Sequence, residues 1–169
     1  MTRVAVIGNA GGGKSTLSRI VAEAHGLPLI ELDHLMWLPG WERVDPETFR
    51  KQHAGAIARD RWLIDGYGPW DLIPQRFDRA DTIIFVDHPL RVHLWWALKR
   101  QVRSLITGAE GPPGCPMWRM TVPLFRMMIG LHRAFRPKLM QQIEARRGDL
   151  RIIHLRSPAE LRRFARNPV

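Results

Sequence analysis

The feature that most constrains the fold is a glycine-rich loop that directly follows a short apolar run. The run spans Val4 to Ile7, and the loop has the pattern G-x-x-x-x-G-K-S from Gly8 to Ser15. Glycine reaches positive φ at low cost and carries no Cβ, so the backbone N–H groups of such a loop can curl around an anion. Apolar residues then recur at helical spacing, and the N-terminus of that helix would point at the same anion. The pattern predicts a phosphate-binding loop between a strand and a helix.

The same pattern assigns chemical roles to single positions. Lys14 would neutralise the β and γ oxygens of a nucleoside triphosphate, and the Ser15 hydroxyl would bind Mg²⁺. A merely flexible turn is the alternative, and the strand before the loop and the helix after it argue against that. We predict that these residues bind the nucleotide: Gly8, Asn9, Ala10, Gly11, Gly12, Gly13, Lys14, Ser15 and Thr16.

Length and composition favour one domain over residues 1–169, because 169 residues with 45% apolar content can build a single core. The first residues already have strand and loop character, so we expect no signal peptide, no membrane partner and a cytoplasmic location. The single cysteine, Cys115, excludes an internal disulfide and a multi-cysteine metal site. We expect Cys115 to serve packing.

The positive charge of the chain is concentrated in its second half. Residues 1–90 hold 10 Lys/Arg against 12 Asp/Glu, whereas residues 91–169 hold 16 against 4. An excess of this kind suits a polyanionic partner, which leaves a nucleoside triphosphate, a nucleic acid and an anionic membrane open.

A carboxylate follows the second predicted strand, Leu29 to Leu32. At the carboxyl end of a strand in an open α/β sheet, Asp33 would meet a substrate and accept or orient a hydroxyl proton. A helix N-cap is the alternative for this residue. In the loop that follows, Trp37 and Trp41 either wall an aromatic slot for an acceptor or staple a small subdomain together, before Asp45 opens a helix.

Two further predicted strands also end in acids. Asp65 follows residues 62–64, and Asp87 follows residues 82–86. We assign Asp65 to the metal, because the flexible glycines after it, Gly66 and Gly68, leave room for substrate. Asp87 has the character of a helix-start residue.

The long helix predicted after Pro89 carries a pair of arginines. Arg100 and Arg103 lie three residues apart, so they share a flank and could close on transferring phosphates. The apolar face of this helix is predicted to contain Val92, Trp95, Trp96 and Val102.

A Gly/Pro-rich stretch, residues 107–114, then has the composition of a mobile lid, within a lid region of about 99–136. We expect Arg136-Pro137 to break the helical run that follows.

The last predicted strand, residues 150–155, precedes Ser157-Pro158-Ala159-Glu160, which is a helix capping box. Five strands alternate with helices. The fold class is therefore α/β, with a parallel sheet covered by helices on both faces.

Taken together, these motifs resemble the adenylate-kinase-like P-loop kinases, and most closely the bacterial proteins called DNA topology modulation proteins. The likeness covers nearly the whole chain and is carried by residues 8–15, 32–41, 62–68 and 80–84. It implies a five-stranded sheet in the order 2-3-1-4-5, ATP with Mg²⁺ as donor, Asp33 in the acceptor site and Asp65 near the metal. The chain departs from this family in its lid, where residues 104–111 contain no arginine.

The sequence thus predicts a kinase that moves the γ-phosphoryl group of ATP to a small acceptor, for which nucleosides and nucleotides are candidates. The predicted catalytic residues are Lys14, Asp33, Arg100 and Arg103, and the metal ligands are Ser15 and Asp65. The acceptor would bind in an insertion spanning about residues 33–60 and at the end of the third strand, through Asp33, Trp37, Trp41, Arg43, Gly66 and Tyr67.

Two alternatives stay open. A nucleoside monophosphate kinase would use an arginine such as Arg43 or Arg50 on the acceptor phosphate. A nucleic-acid-binding NTPase would use the basic second half, although no helix-turn-helix, zinc-finger or RNA-recognition motif is present.

Overall fold

The computed structural model of the chain describes residues 1–168, so the last residue of the predicted domain, Val169, lies outside the described residues. Its strands are β1 Arg3–Gly8, β2 Leu29–Glu31, β3 Trp37–Leu38, β4 Glu42–Arg43, β5 Trp62–Asp65, β6 Thr82–Val86 and β7 Arg151–Leu155. Five of them form a fully parallel sheet in the order β2-β5-β1-β6-β7. Counted within this sheet alone, the order is 2-3-1-4-5, so the predicted α/β class and strand order are confirmed.

The helices follow the strands in alternation. They are α1 Lys14–His25, α2 Leu32–Met36, α3 Pro46–Ile57, α4 Ile73–Arg79, α5 Leu90–Thr107, α6 Thr121–Gly130, α7 Arg136–Glu144 and α8 Pro158–Arg166. Short 3-10 turns occupy Pro39–Trp41, Trp70–Leu72 and Met117–Met120. No helix within residues 1–168 has both the length and the apolar character needed to cross a bilayer.

The central strand β1 is buried on both faces because its side chains alternate between two cores. Val4 and Val6 pack with Leu17 of α1 and Leu161 of α8. On the other face, a second cluster contains residues from β1, α3, α4 and α7, namely Ala5, Ile7, Phe49, Phe77 and Leu139. The loop that leaves β1 is therefore anchored at the middle of the sheet.

Helix starts were predicted well where a side chain caps the backbone. The Asp45 carboxylate accepts a hydrogen bond from the Thr48 N–H at 2.9 Å, and the Ser157 hydroxyl accepts one from the Glu160 N–H at 3.2 Å. The Glu160 carboxylate in turn accepts from the Arg156 N–H at 2.8 Å, one residue before the cap. Each of these hydrogen bonds satisfies a backbone N–H group at or just before a helix N-terminus that has no partner within the helix.

The predicted end of the second strand was wrong by one residue. Strand β2 stops at Glu31, and Leu32 begins α2. Leu32 is fully buried and packs against Gly66 and Gly68, so the chain must leave the sheet before this residue. As a result, Asp33 lies in the first turn of α2 and not at the end of a strand.

The predicted apolar face of α5 was wrong for two of its four residues, since Val92 and Trp96 are half-buried but Trp95 and Val102 are not. Its buried residues are His93, Ala97, Gln101 and Ser104. Trp95 and Val102 are instead 54% and 50% exposed. The buried face of α5 passes close to the glycine-rich loop, because a Cβ on Gly11 would lie only 3.0 Å from the Ala97 Cβ. Where α5 contacts the loop, its buried face therefore accommodates only small or polar side chains.

The predicted helix break at Arg136-Pro137 does not occur. Helix α6 runs through a π-helical segment, Leu131–Phe135, directly into α7. Pro137 lies at the second residue of α7, directly after the π-helical segment. A π-helical segment of this kind often marks a functional region.

Candidate active site

The glycine-rich loop has the shape of an anion-binding nest. Gly11 and Gly13 adopt left-handed conformations with φ of 66° and 79°, and Lys14 then begins α1. The Lys14 ammonium donates a hydrogen bond to the Asn9 carbonyl at 2.8 Å. Burial lowers the pKa of Lys14, although Asp65 and Asp33 act in the opposite direction. The ammonium is thus poorly hydrated and available to a phosphate.

Two side chains hold this loop from behind: Asn9, which was predicted to bind the nucleotide, and His93, to which the sequence assigned no role. The His93 Nδ1 lies 2.9 Å from the Ala10 carbonyl, and the Asn9 amide donates to the Met128 carbonyl at 2.8 Å. Because a carbonyl only accepts, this contact requires the Nδ1–H tautomer of His93. The His93 contact holds the Ala10 carbonyl, and the Asn9 amide ties the loop to α6.

Asp65 lies at the end of β5 beside the loop and is only 5% exposed. Burial raises its pKa, while Lys14 and the Ser15 hydroxyl lower it in part. Its Oδ1 is buried and accepts no hydrogen bond from the described residues. A desolvated carboxylate oxygen with an open lone pair next to a serine hydroxyl fits a hard divalent cation such as Mg²⁺.

Asp33 and Arg100 complete the charged cluster. Asp33 is exposed on the first turn of α2, and no side chain caps that helix. It interacts electrostatically with Lys14 and Asp65, and Arg100 of α5 interacts with Asp33 and Lys14. The fold therefore brings Lys14, Asp33, Asp65 and Arg100 to the mouth of the glycine-rich loop.

The predicted arginine pair is divided between two surfaces. Arg100 acts on the charged cluster, whereas Arg103 borders an exposed depression on α5 together with Trp95 and Lys99. The catalytic role predicted for Arg103 stays a prediction, and no contact among the described residues links its side chain to the cluster.

The tryptophan loop is bound to the lid region. The Trp41 indole N–H donates to the Pro116 carbonyl at 2.8 Å, and the Cys115 thiol donates to the Leu38 carbonyl at 3.1 Å. The Gly40 N–H also donates to the Gly114 carbonyl at 2.8 Å. A Cβ on Gly114 would lie 2.8 Å from the Pro39 Cβ, so this approach requires glycine. Residues 107–116 are therefore a strap fastened to the predicted acceptor insertion, and Cys115 serves packing.

Trp41 holds the tryptophan-containing loop and the strap together. It is the one non-glycine residue within residues 1–168 with a positive φ, 68°, which is a strained conformation. Its ring meets Trp37 edge to face at 5.4 Å, and the Arg43 guanidinium lies over Trp37 at 5.3 Å. The contacts favour the stapling alternative for both tryptophans.

Asp87 forms a buried polar cluster next to the loop, so its prediction as a helix-start residue was wrong. Helix α5 begins after Pro89, without a side-chain cap. Asp87 instead accepts two hydrogen bonds from Arg136, at 2.6 and 2.7 Å, and lies 2.9 Å from the His154 Nε2. Burial raises the pKa of Asp87, but the hydrogen bonds from both partners outweigh it and hold the pKa below its usual value.

A small cavity of about 10 Å³, room for about one water molecule, lies beside this cluster and reaches the first residues of the glycine-rich loop. Its lining includes Asn9, Tyr67, Asp87, His132 and Arg136. Burial raises the pKa of Tyr67, so the phenol stays neutral and can donate a hydrogen bond. Of the predicted acceptor residues, Tyr67 therefore faces a cavity adjacent to the loop.

Buried histidines make the stability of this region sensitive to pH. Burial lowers the pKa values of His53 and His93 to about 4, and both residues are 1% exposed. The unfolded chain binds protons near pH 6.5, so it is favoured as the pH falls from about 6.5 towards 4. We expect each ring to cost roughly 2 kcal/mol of unfolding free energy at pH 5 relative to pH 7.5.

Urea unfolding at the two pH values measures this effect. His53→Asn should flatten the pH dependence of the unfolding free energy. Equal unfolding free energies at pH 5 and pH 7.5 for the unsubstituted protein would show that these rings titrate normally.

Comparison with known proteins bears on the fold. The sequence matches no protein-family model and no curated protein. Its structure is similar to that of a shikimate kinase from Acinetobacter baumannii in complex with shikimate, with a TM-score of 0.61 and 16% identity over 99% of this chain and 90% of that one. The two chains share a fold.

Two other solved structures support the same fold. A shikimate kinase from Bacteroides thetaiotaomicron has a TM-score of 0.55 and 14% identity, covering 99% of this chain and 96% of the other. A gluconokinase from Sinorhizobium meliloti 1021 has a TM-score of 0.51 and 19% identity, covering 99% and 95%. At these identities the likeness concerns the fold, and the function has to be argued from the site.

Proposed function

We propose that the protein is an ATP-dependent kinase that transfers the γ-phosphoryl group of ATP to a small acceptor. The observation that carries the proposal is the convergence of Lys14, Asp33, Asp65 and Arg100 at the mouth of the glycine-rich loop. A protein that only binds nucleotide has no need of an exposed carboxylate such as Asp33 facing the phosphate site. A phosphotransferase needs one to orient the attacking hydroxyl.

Each residue of the cluster has a distinct task in this reaction. Asp33 accepts the proton of the acceptor hydroxyl while the oxygen of that hydroxyl forms a bond to the γ-phosphorus. The bond between the γ-phosphorus and the oxygen that bridges it to the β-phosphate breaks, which releases ADP. Lys14 and Arg100 offset the negative charge on the transferring group. Ser15 and Asp65 would hold Mg²⁺, which supplies further charge neutralisation on the phosphates when bound.

The acceptor is proposed to be small and to carry a hydroxyl group. The solved structures with the same fold are called shikimate kinase and gluconokinase, which favours this class over nucleosides. A nucleoside monophosphate kinase is less well supported, because Arg50 is paired with Asp71 and Arg43 is stacked on Trp37. The closer resemblance to DNA topology modulation proteins and a cytoplasmic location stay predictions.

A screen of ADP release from Mg-ATP tests the proposal. Hydroxy acids, sugars and sugar acids, nucleosides and nucleotides are offered singly, and the acceptor-independent rate is subtracted. We expect one chemical class to raise ADP release well above this background. If no class does so although Mg-ATP binds, the protein is a nucleotide binder or a slow ATPase and not a small-molecule kinase.

The basic second half is expected to bind duplex DNA only weakly and without sequence preference. The sequence contains no helix-turn-helix, zinc-finger or RNA-recognition motif, and simple charge attraction to phosphates is screened by salt. Fluorescence anisotropy with a labelled duplex should show binding at 50 mM salt that is lost by ~200 mM. Binding of one sequence that survives the higher salt would favour the nucleic-acid-binding NTPase.

A further inference from the structure

The outer face of α5 is an exposed apolar surface that the proposed kinase reaction does not use. We define this outer face by Trp95, Leu98, Val102, Leu105 and Ile106, which are 54%, 43%, 50%, 66% and 81% exposed. Exposed apolar residues that occur singly need no explanation, but five on one helix face form a contiguous patch. The 3-10 turn Met117–Met120 packs against α5 and adds Trp118, which is 55% exposed.

The charge around this face has one sign. Between Asp87 and Glu144 the only acidic residue is Glu110. The same stretch contains nine cations, of which Lys99 and Arg103 border the outer face of α5 and Arg119 lies beside Trp118. Two of them lie directly against exposed indoles, because the Lys99 ammonium is 4.9 Å from the Trp95 ring centre and the Arg119 guanidinium is 5.3 Å from that of Trp118.

We propose that the outer face of α5 is a peripheral contact with an anionic membrane surface. Helices that lie in a bilayer interface carry Trp and Leu on one side and Lys and Arg along its border, where long side chains reach the phosphates while their stems stay with apolar groups. Helix α5 has 18 residues, about 27 Å of length, and no acidic residue to repel an anionic leaflet. This inference goes beyond the proposed function and departs from the expectation of no membrane partner.

Two other occupants fit this surface less well. In a twofold contact between two copies, the same surface patch would meet itself, so the cations Lys99 and Arg103 would meet a surface on which α5 offers no acid to pair with them. A partner helix needs a groove with two walls. The depression here is lined by residues of α5 alone: Trp95, Leu98, Lys99, Val102, Arg103, Ile106 and Thr107. A flat bilayer interface needs no second wall.

Co-sedimentation of the full chain with vesicles tests the proposal without ATP or an acceptor, so its result is independent of the kinase proposal. Vesicles of phosphatidylglycerol mixed with phosphatidylcholine are compared with phosphatidylcholine alone. We expect binding to the anionic vesicles, a blue shift of tryptophan fluorescence, and a measurable fraction that stays bound in ~0.5 M salt because apolar burial is not screened.

A matched pair of variants separates insertion from simple charge attraction. Trp95→Ser combined with Ile106→Ser should weaken binding by at least about tenfold and reduce the fluorescence shift, since two exposed apolar groups no longer insert. Arg162→Ala combined with Arg163→Ala removes two cations from α8, on another part of the surface, and should reduce binding far less. Circular dichroism confirms that each variant is folded.

Three results would overturn the proposal. Absence of vesicle binding is the first, and equal losses for the two double variants, which indicate non-specific attraction of a basic protein, are the second. The third is a dimer in sedimentation analysis that Ile106→Ser converts to monomer, because this face would then bind a second copy of the chain.

Discussion

Asp33→Asn is expected to lower the rate of phosphoryl transfer by roughly 10²- to 10⁴-fold while leaving the affinity for Mg-ATP nearly unchanged. The substitution keeps the size of the side chain and removes both its charge and its capacity to accept a proton. Asp33 is exposed and caps no helix, so a loss of folding stability does not explain such a loss of rate. Steady-state transfer with the identified acceptor, together with ATP titration, measures both quantities.

Two further variants give this prediction its controls. Asp65→Asn should weaken the response to Mg²⁺ and nucleotide binding together, because this buried carboxylate is assigned to the metal. Asp60→Asn removes an exposed carboxylate between α3 and β5 and should match the unsubstituted protein. An Asp33→Asn enzyme with unchanged turnover would place the acceptor site elsewhere.

Lys14→Ala is expected to abolish most of the stabilisation that Mg-ATP gives to the folded protein. At about 100 times its dissociation constant, a ligand raises the unfolding free energy by roughly 2.7 kcal/mol. Without the ammonium, the loop N–H groups alone face the charge of the β- and γ-phosphates, so most of this gain should disappear. Chemical unfolding with and without Mg-ATP measures it.

The control for Lys14 is Lys51→Ala, which removes an exposed lysine on α3 whose ion pair with Glu47 lies on the surface. This variant should keep the full Mg-ATP response. If Lys14→Ala responds to Mg-ATP as strongly as the Lys51 variant, phosphate binding by the glycine-rich loop is not what stabilises the protein.

The sequence allowed the sheet and the phosphate loop to be predicted because their determinants are local. The strand before Gly8, the spacing from Gly8 to Ser15 and the helix after it all lie within one short stretch. The caps at Asp45 and Ser157 are equally local, since each involves a residue three positions away. The strand order came from the family resemblance and not from these local patterns.

What the sequence did not predict depends on contacts between distant parts of the chain. The face that α5 buries is set by its close approach to Gly11, which hydrophobic periodicity does not record. Asp87 finds its partners 49 and 67 positions away, in Arg136 and His154. The strap fastened to Trp41 likewise joins segments 75 residues apart.

His93 illustrates a functional residue with almost no sequence signal. A single histidine in a basic, tryptophan-rich helix gives no indication that its ring supports the Ala10 carbonyl. The only sequence signal for His93 is that it follows the fourth strand of the sheet, β6, by a few residues, at the point where α5 starts beside the glycine-rich loop. The fold thus decides which of the polar residues on α5 support the site.

Transfer of the terminal phosphate of ATP labelled with ³²P at the γ position tests the central claim most directly. With the acceptor class found by the ADP screen, the account predicts that the label appears on the acceptor in equal amount to the ADP released, and that Asp33→Asn loses this transfer while still binding ATP. Label found only in inorganic phosphate with every acceptor would contradict the account, because the protein would then hydrolyse ATP and not act as a kinase.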